Sequence, residues 1–143
     1  MIAFFDTSIH IPLFSGALSW DTVLQAVGRC PVRLSPVVAS ELLRGVSGPG
    51  RRRVEALVSQ LVPLEPSSWR RCWYETGRLL LKIFPDHEAV GLARLQNDCL
   101  IALTARYTGT LLLAADGHFA TLRRYVPFLL RVIERPAPLV ACR

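Results

Sequence analysis

Two short apolar runs, Ile2-Ala3-Phe4-Phe5 and Thr110-Leu111-Leu112-Leu113-Ala114, each give way to an aspartate within two residues, at Asp6 and Asp116. Runs that are apolar at successive positions, not at alternate ones, mark strands buried on both faces. Such strands need helices on either side, and the intervening chain has the signals for them. A helix is predicted from near Ser19, with Asp21 and Thr22 in its first turn, toward Gly28. Val32-Arg33-Leu34 reads as a brief strand. Ser35-Pro36, an N-cap and first-turn pair, opens a helix that runs through Arg44 and stops at Gly45. Beyond Gly48-Pro49-Gly50, residues 51–60 read as a helix and Leu61-Val62-Pro63-Leu64 as a strand. Ser67 or Ser68 caps a longer helix through Phe84, broken at Pro85. Residues 97–107 and 117–125 are expected to be helical, with a last strand over 129–133. The segment after Asp6 reads as a loop. Short strands alternating with helices predict an α/β sandwich around a mainly parallel sheet. Ligands bind such sheets at the carboxyl ends of the strands, where Asp6 and Asp116 stand.

Length and composition narrow the class. At 143 residues the chain is the size of one domain, here taken as 1–143. A hydrophobic fraction of 51% against 20% charged residues is globular and excludes a disordered chain. No apolar stretch is long enough to span a bilayer, and no basic leader precedes the first apolar run, so a cytoplasmic protein is expected. Cys30, Cys72, Cys99 and Cys142 form no CxxC pair, which argues against a cysteine-ligated zinc site; Cys99 reads as core packing. The net charge of +6 rests almost wholly on arginine, since Lys82 is the only lysine. Guanidinium groups suit phosphate oxygens, so a polyanionic partner fits.

Of eleven acidic residues, four resist ordinary explanations. Asp6 and Asp116 follow strand ends. Glu41 lies three and four residues after Val38 and Val37, so helical spacing puts it on or beside an apolar face. Asp98 shares a stripe with Ile101, Ala102 and Ala105. Ordinary roles exist for three of them: a helix cap for Asp98, an Asx turn for Asp6, a tight turn for Asp116-Gly117. Glu41, in mid-helix, has no capping role. Buried carboxylates are costly unless paired, hydrogen-bonded or bound to metal.

The residues around these acids resemble the motifs of PIN-domain ribonucleases, especially the VapC-like toxins of bacterial toxin–antitoxin pairs. Phe5-Asp6-Thr7-Ser8 is similar to the family's opening motif. Residues 35–45 (SPVVASELLRG) resemble the second, Asn97-Asp98-Cys99-Leu100-Ile101-Ala102 the third, and residues 111–119 (LLLAADGHF) the fourth. The match runs from Met1 to about Ile133. Two positions depart from the pattern: Ala114 stands where Thr or Ser is common, and His118 where a further acid is common. The resemblance implies a three-layer α/β/α sandwich with a five-stranded parallel sheet and four acids converging in one pocket. It also implies Mg²⁺ or Mn²⁺, an RNA substrate, a protein antitoxin and a homodimer.

On this reading Asp6, Glu41 and Asp98 hold the principal metal, directly or through water, and Asp116 completes the site or orients the attacking water. Carboxylates are hard ligands that select Mg²⁺ or Mn²⁺ over zinc, and the cation relieves their mutual repulsion. Thr7 and Ser8 can support the site through their hydroxyls, and Asn97 can position Asp98 or touch phosphate. Arg44, Arg51, Arg52, Arg53, Arg123 and Arg124, and also Arg70 and Arg71, are candidates for the RNA backbone, against the plainer reading of solvated helix faces. His118 reads as a loop histidine or an extra ligand. Trp69 and Trp73, at i,i+4, are expected in a core or dimer interface. The competing readings are a non-catalytic PIN-like module that binds RNA or protein, and a haloacid-dehalogenase-type phosphatase. The latter wants an acid where Ser8 stands.

Overall fold

Strand β1 (Ala3–Phe5) is buried at every position, as its unbroken apolar run requires, and it sits at the centre of a parallel sheet. The computed structural model describes residues 1–136; Cys142, noted above, lies outside them. The order of elements is β1, α1 (Thr7–Ser15), α2 (Trp20–Val27), β2 (Val32–Arg33), α3 (Pro36–Gly45), α4 (Gly50–Gln60), α5 (Trp69–Ile83), α6 (His87–Val90), α7 (Leu92–Thr108), β3 (Leu111–Ala114), α8 (His118–Arg123) and β4 (Leu129–Val132). The four strands pair in parallel in the order β2-β1-β3-β4.

Alternate residues of the central strands enter different cores. Phe4, Leu112 and Ala114 pack with Val38 and Leu42 of α3, Cys72 of α5 and the apolar face of α7. Ala3, Phe5, Leu111 and Leu113 pack on the other side with Ile9 of α1 and Val23 of α2. The result is the expected α/β sandwich, helices on both faces of a parallel sheet.

Among the described residues the sheet has four strands, where five were expected. Residues 61–64 run alongside β2 but form one isolated bridge, Leu34 to Pro63, flanked by Leu34 N–H to the Val62 carbonyl and Leu64 N–H to the Leu34 carbonyl. The next parallel rung would take an N–H from residue 36, but Pro36 has none and the chain turns there into α3, so pairing stops.

Three helical elements differ from expectation. Where a loop was expected, α1 begins directly after β1, capped by Asp6, whose side chain accepts from the Ser8 N–H. Pro12 sits within it and obscured it in the sequence. α7 starts at Leu92 after Gly91, whose φ of 113° is a conformation glycine reaches easily. Asp98 is therefore well inside that helix and cannot be its cap. The short α6 had no sequence signal.

Candidate functional site

Four different elements deliver the four carboxylates to one pocket. Asp6 ends β1, Asp116 lies two residues past β3, Glu41 projects from α3 and Asp98 from α7. All four line a cavity of about 690 Å³ at the carboxyl edge of the sheet.

Local geometry holds Asp6 firmly. The Ser8 hydroxyl donates to Asp6 Oδ2 at 2.7 Å, and the Ser8 N–H donates to the same oxygen at 3.2 Å. The Ser8 oxygen in turn accepts from the backbone N–H of Ala115 at 2.9 Å, which ties the start of α1 to the segment carrying Asp116. Thr7 Oγ1 lies 3.5 Å from Asp6 Oδ1. Capping and facing the pocket are thus compatible roles for one carboxylate. Asp116 is fixed in the same manner, its Oδ1 accepting from the His118 N–H at 2.9 Å.

Two basic side chains reach into the cluster. Arg94, one turn before Asp98 on α7, pairs with Asp116 Oδ2 at 3.0 Å. His118 Nδ1 lies 3.1 Å from Asp98 Oδ2 and 3.4 Å from Asp116 Oδ1. Asp98, Asp116 and His118 can bring one donor atom each within 4.8 Å of one another, a spacing compatible with a shared cation. Asp6 and Glu41 line the same pocket outside that tight group.

The electrostatics are those of acids brought together with incomplete compensation. Burial and then the charges of Asp6, Asp116 and Glu41 push Asp98 up to about 8, far above an ordinary aspartate. Burial also raises Asp6, against the hydrogen bonds from Ser8, and raises Glu41, where Asp6 adds repulsion and the Asn97 amide pulls the other way. Asp116 differs: burial pushes it up, but the His118 N–H and Arg94 outweigh that and hold it below the usual range. Glu41 Oε1 is buried without a hydrogen-bond partner. A buried orphan oxygen beside a carboxylate that keeps its proton near neutrality is an arrangement a divalent cation would relieve. The donor set, four carboxylates with one imidazole within reach, fits Mg²⁺ or Mn²⁺, and the nitrogen favours Mn²⁺ of the two.

Other candidates fall elsewhere. Asn97 lies beside Glu41, on a neighbouring groove it shares with Pro36, Val37, Arg44, Trp69 and Trp73. In that groove, lined by α3, α5 and α7, Trp69 packs against the core, whereas Trp73 is exposed. Arg44 bonds the Ser40 carbonyl. Arg51 donates to the Leu43 carbonyl and pairs with Glu55, and Arg53 donates to the Phe14 carbonyl. Arg52, Arg123 and Arg124 are exposed. None of these six lines the carboxylate pocket; Arg94 and Arg135 do. Arg94 escaped notice because its signal, the i,i+4 spacing to Asp98, appears only when the helix is known to begin at Leu92.

The PIN domain family model matches residues 3–125. Among solved structures, the chain is similar to VapBC2 from Rickettsia felis bound to a DNA fragment from their promoter, at 18% identity and a TM-score of 0.59, covering 94% of this chain and 100% of that one. It is also similar to VapBC-1 from nontypeable Haemophilus influenzae, at 19% identity and a TM-score of 0.60, covering 92% and 98% respectively. At these identities the likeness speaks to the fold. A search of curated proteins finds no match.

Proposed function

The chain belongs to the PIN domain family, and from that premise we propose that it is an endoribonuclease that cuts RNA phosphodiester bonds with the help of Mg²⁺ or Mn²⁺. The observation that carries this reading is the convergence of Asp6, Glu41, Asp98 and Asp116 on one pocket, with an orphan oxygen on Glu41. These four would hold the cation, directly or through water, with His118 as a further donor. When bound, the cation supplies Lewis acidity toward phosphate oxygens and lowers the pKa of water to the range of a neutral-pH nucleophile.

The chain's own residues supply the rest. Ser8 keeps Asp6 from rotating away, and the His118 N–H does the same for Asp116. Asp98 keeps its proton near neutrality while the acids face each other alone, and gives it up when a cation offsets their charge. Arg94 is half-exposed at the pocket wall and offers a guanidinium to the scissile phosphate, as Arg135 does from the rim. Thr7 stiffens the turn under Asp6.

The biological setting follows the same reading. The chain acts as the toxin of a toxin–antitoxin pair: a cytoplasmic, homodimeric protein of one domain over residues 1–143, held in check by a protein antitoxin. Likeness over nearly the full length to two VapBC structures supports this. In the described residues no helix is long and apolar enough to cross a membrane.

One observation favours a second reading. Arg94 on Asp116 and His118 on Asp98 partly satisfy the acids from within, as a non-catalytic PIN-like module that binds RNA or protein would need. Cleavage of single-stranded and structured RNAs decides between them. Cutting that requires Mg²⁺ or Mn²⁺, stops in EDTA and is lost in Asp98→Asn supports the nuclease. RNA binding without cutting by the folded chain supports the module.

A further inference from the structure

Away from the carboxylates, α5, α7 and the segment after α8 enclose a second cleft, of about 360 Å³, that shares no lining residue with the first. Its walls carry two tyrosines and a set of cations. The Arg71 guanidinium lies 4.5 Å from the Tyr107 ring centroid and that of Arg106 lies 5.8 Å from it. Lys82 Nζ lies 5.9 Å from the Tyr125 ring centroid. Arg78 also lines the cleft, while Lys82 stands just outside the lining, against Tyr125.

The sequence explains the stripe. Arg71, Arg78 and Lys82 fall at i, i+7 and i+11 on α5, one helical face. They span about 16 Å along the axis at 1.5 Å per residue. Arg106, in the last turn of α7, is brought against them by α5–α7 packing, and its guanidinium donates to the Pro127 carbonyl at 3.4 Å. Glu75 is the one acid in the lining, and it is already engaged by Arg71 at 3.2 Å and by the Tyr107 hydroxyl. Among the described residues no carboxylate pairs with Arg78, Lys82 or Arg106.

Like charges on adjacent helices repel, so this grouping gains most from a polyanion laid across it. Guanidinium groups on aromatic rings, in an open groove, form the type of surface on which a single strand places phosphates and stacks bases. We propose that this cleft is a second RNA-binding site, which grips the backbone of a single-stranded segment at a distance from the cleavage pocket. The proposal rests on RNA being the substrate. An acidic protein segment is the rival occupant, disfavoured because the cations alternate with aromatic faces suited to bases.

The test measures binding, not cutting. A fluorescein-labelled single-stranded oligoribonucleotide is titrated, in EDTA, with Asp98→Asn protein and with the same protein carrying Arg78→Gln and Arg106→Gln. A second comparison protein carries Arg29→Gln and Arg131→Gln, exposed arginines outside the cleft, so net charge is matched. The cleft variant should bind about tenfold more weakly, with a salt slope reduced by about 1.4 for two lost phosphate contacts. The matched variant should stay within about threefold of the parent. Arg78→Lys with Arg106→Lys keeps the charge and should recover most of the loss, which also guards against misfolding. Equal affinity in the cleft and matched variants overturns the proposal and leaves the nuclease reading untouched. Failure of the unmutated chain to cut RNA overturns the nuclease reading, while the binding comparison still reports on the cleft.

Discussion

The two ends of α7 gather opposite charges under opposite conditions. In its first half, Asp98 meets Asp6, Glu41 and Asp116 in a place where burial raises the cost of each negative charge. At its end, Arg106 meets Arg71 and Arg78 on an exposed surface where water screens them. Arg106 in the last turn agrees with the helix dipole, which favours bases there; Asp98, well inside the helix, draws no such support and depends on its surroundings. The difference lies in the partner each requires. Buried acids with an orphan oxygen call for something small and doubly charged that can enter a pocket. Exposed, spaced guanidiniums call for something long that can lie in a groove. A metal-dependent nuclease with a remote grip on its substrate needs one of each.

Removing the negative end should have the largest effect. Asp98→Asn or Asp6→Asn is expected to lower RNA cleavage by about 10³-fold, measured on gel-resolved product, while circular dichroism stays native. Next in size is a pH effect specific to this end. In the metal-free fold Asp98 keeps its proton up to about 8, whereas in the unfolded chain it releases it near pH 3.9. Between those values the folded state binds more protons, so stability must fall as pH rises. Metal-free wild type should lose about 4 kcal/mol in denaturant titrations from pH 5 to 9. Asp98→Asn should flatten that profile, and added Mn²⁺ should reverse its sign, because the cation needs the deprotonated ligands.

A smaller effect tests whether the acids are already satisfied. Arg94→Ala removes the cation paired with Asp116. It should lower metal-free stability by about 1 kcal/mol, a modest loss for a half-exposed pair, and tighten Mn²⁺ binding about threefold by ending the competition. Unchanged Mn²⁺ affinity would make Arg94 a bystander. Of the same order is Ser8→Ala, which breaks the link from Asp6 to the Ala115 N–H. About 1–2 kcal/mol of stability and roughly tenfold in cleavage should go with it.

The negative end of α7 was legible in the sequence and the positive end mostly was not. Asp6 and Asp116 announced themselves by following apolar strands, and Glu41 by standing on an apolar helix face with nothing to cap. Those signals are local. Asp98 was visible only with a competing capping role, which vanished once the structure started α7 at Leu92. Arg94 and His118 owe their positions to that longer helix and to the turn after β3, and neither follows from spacing alone. The cleft depends on α5 packing against α7, which brings Arg106 to Arg71 across 35 residues of chain; arginines counted along the sequence do not reveal it. In the fold, the run 61–64 stops at one bridge because the next rung falls on Pro36, and the unexpected α1 was hidden by another proline, Pro12.

The account stands on the acids of the pocket being a cation site, and calorimetric titration of the metal-free chain with Mn²⁺ at pH 7 tests that most directly. In two buffers of different ionisation enthalpy, it predicts saturable binding with release of about one proton per ion, the proton held by Asp98. Both the affinity and the proton release should largely disappear in Asp98→Asn. Binding of equal strength in the variant, or none in either protein, would contradict it.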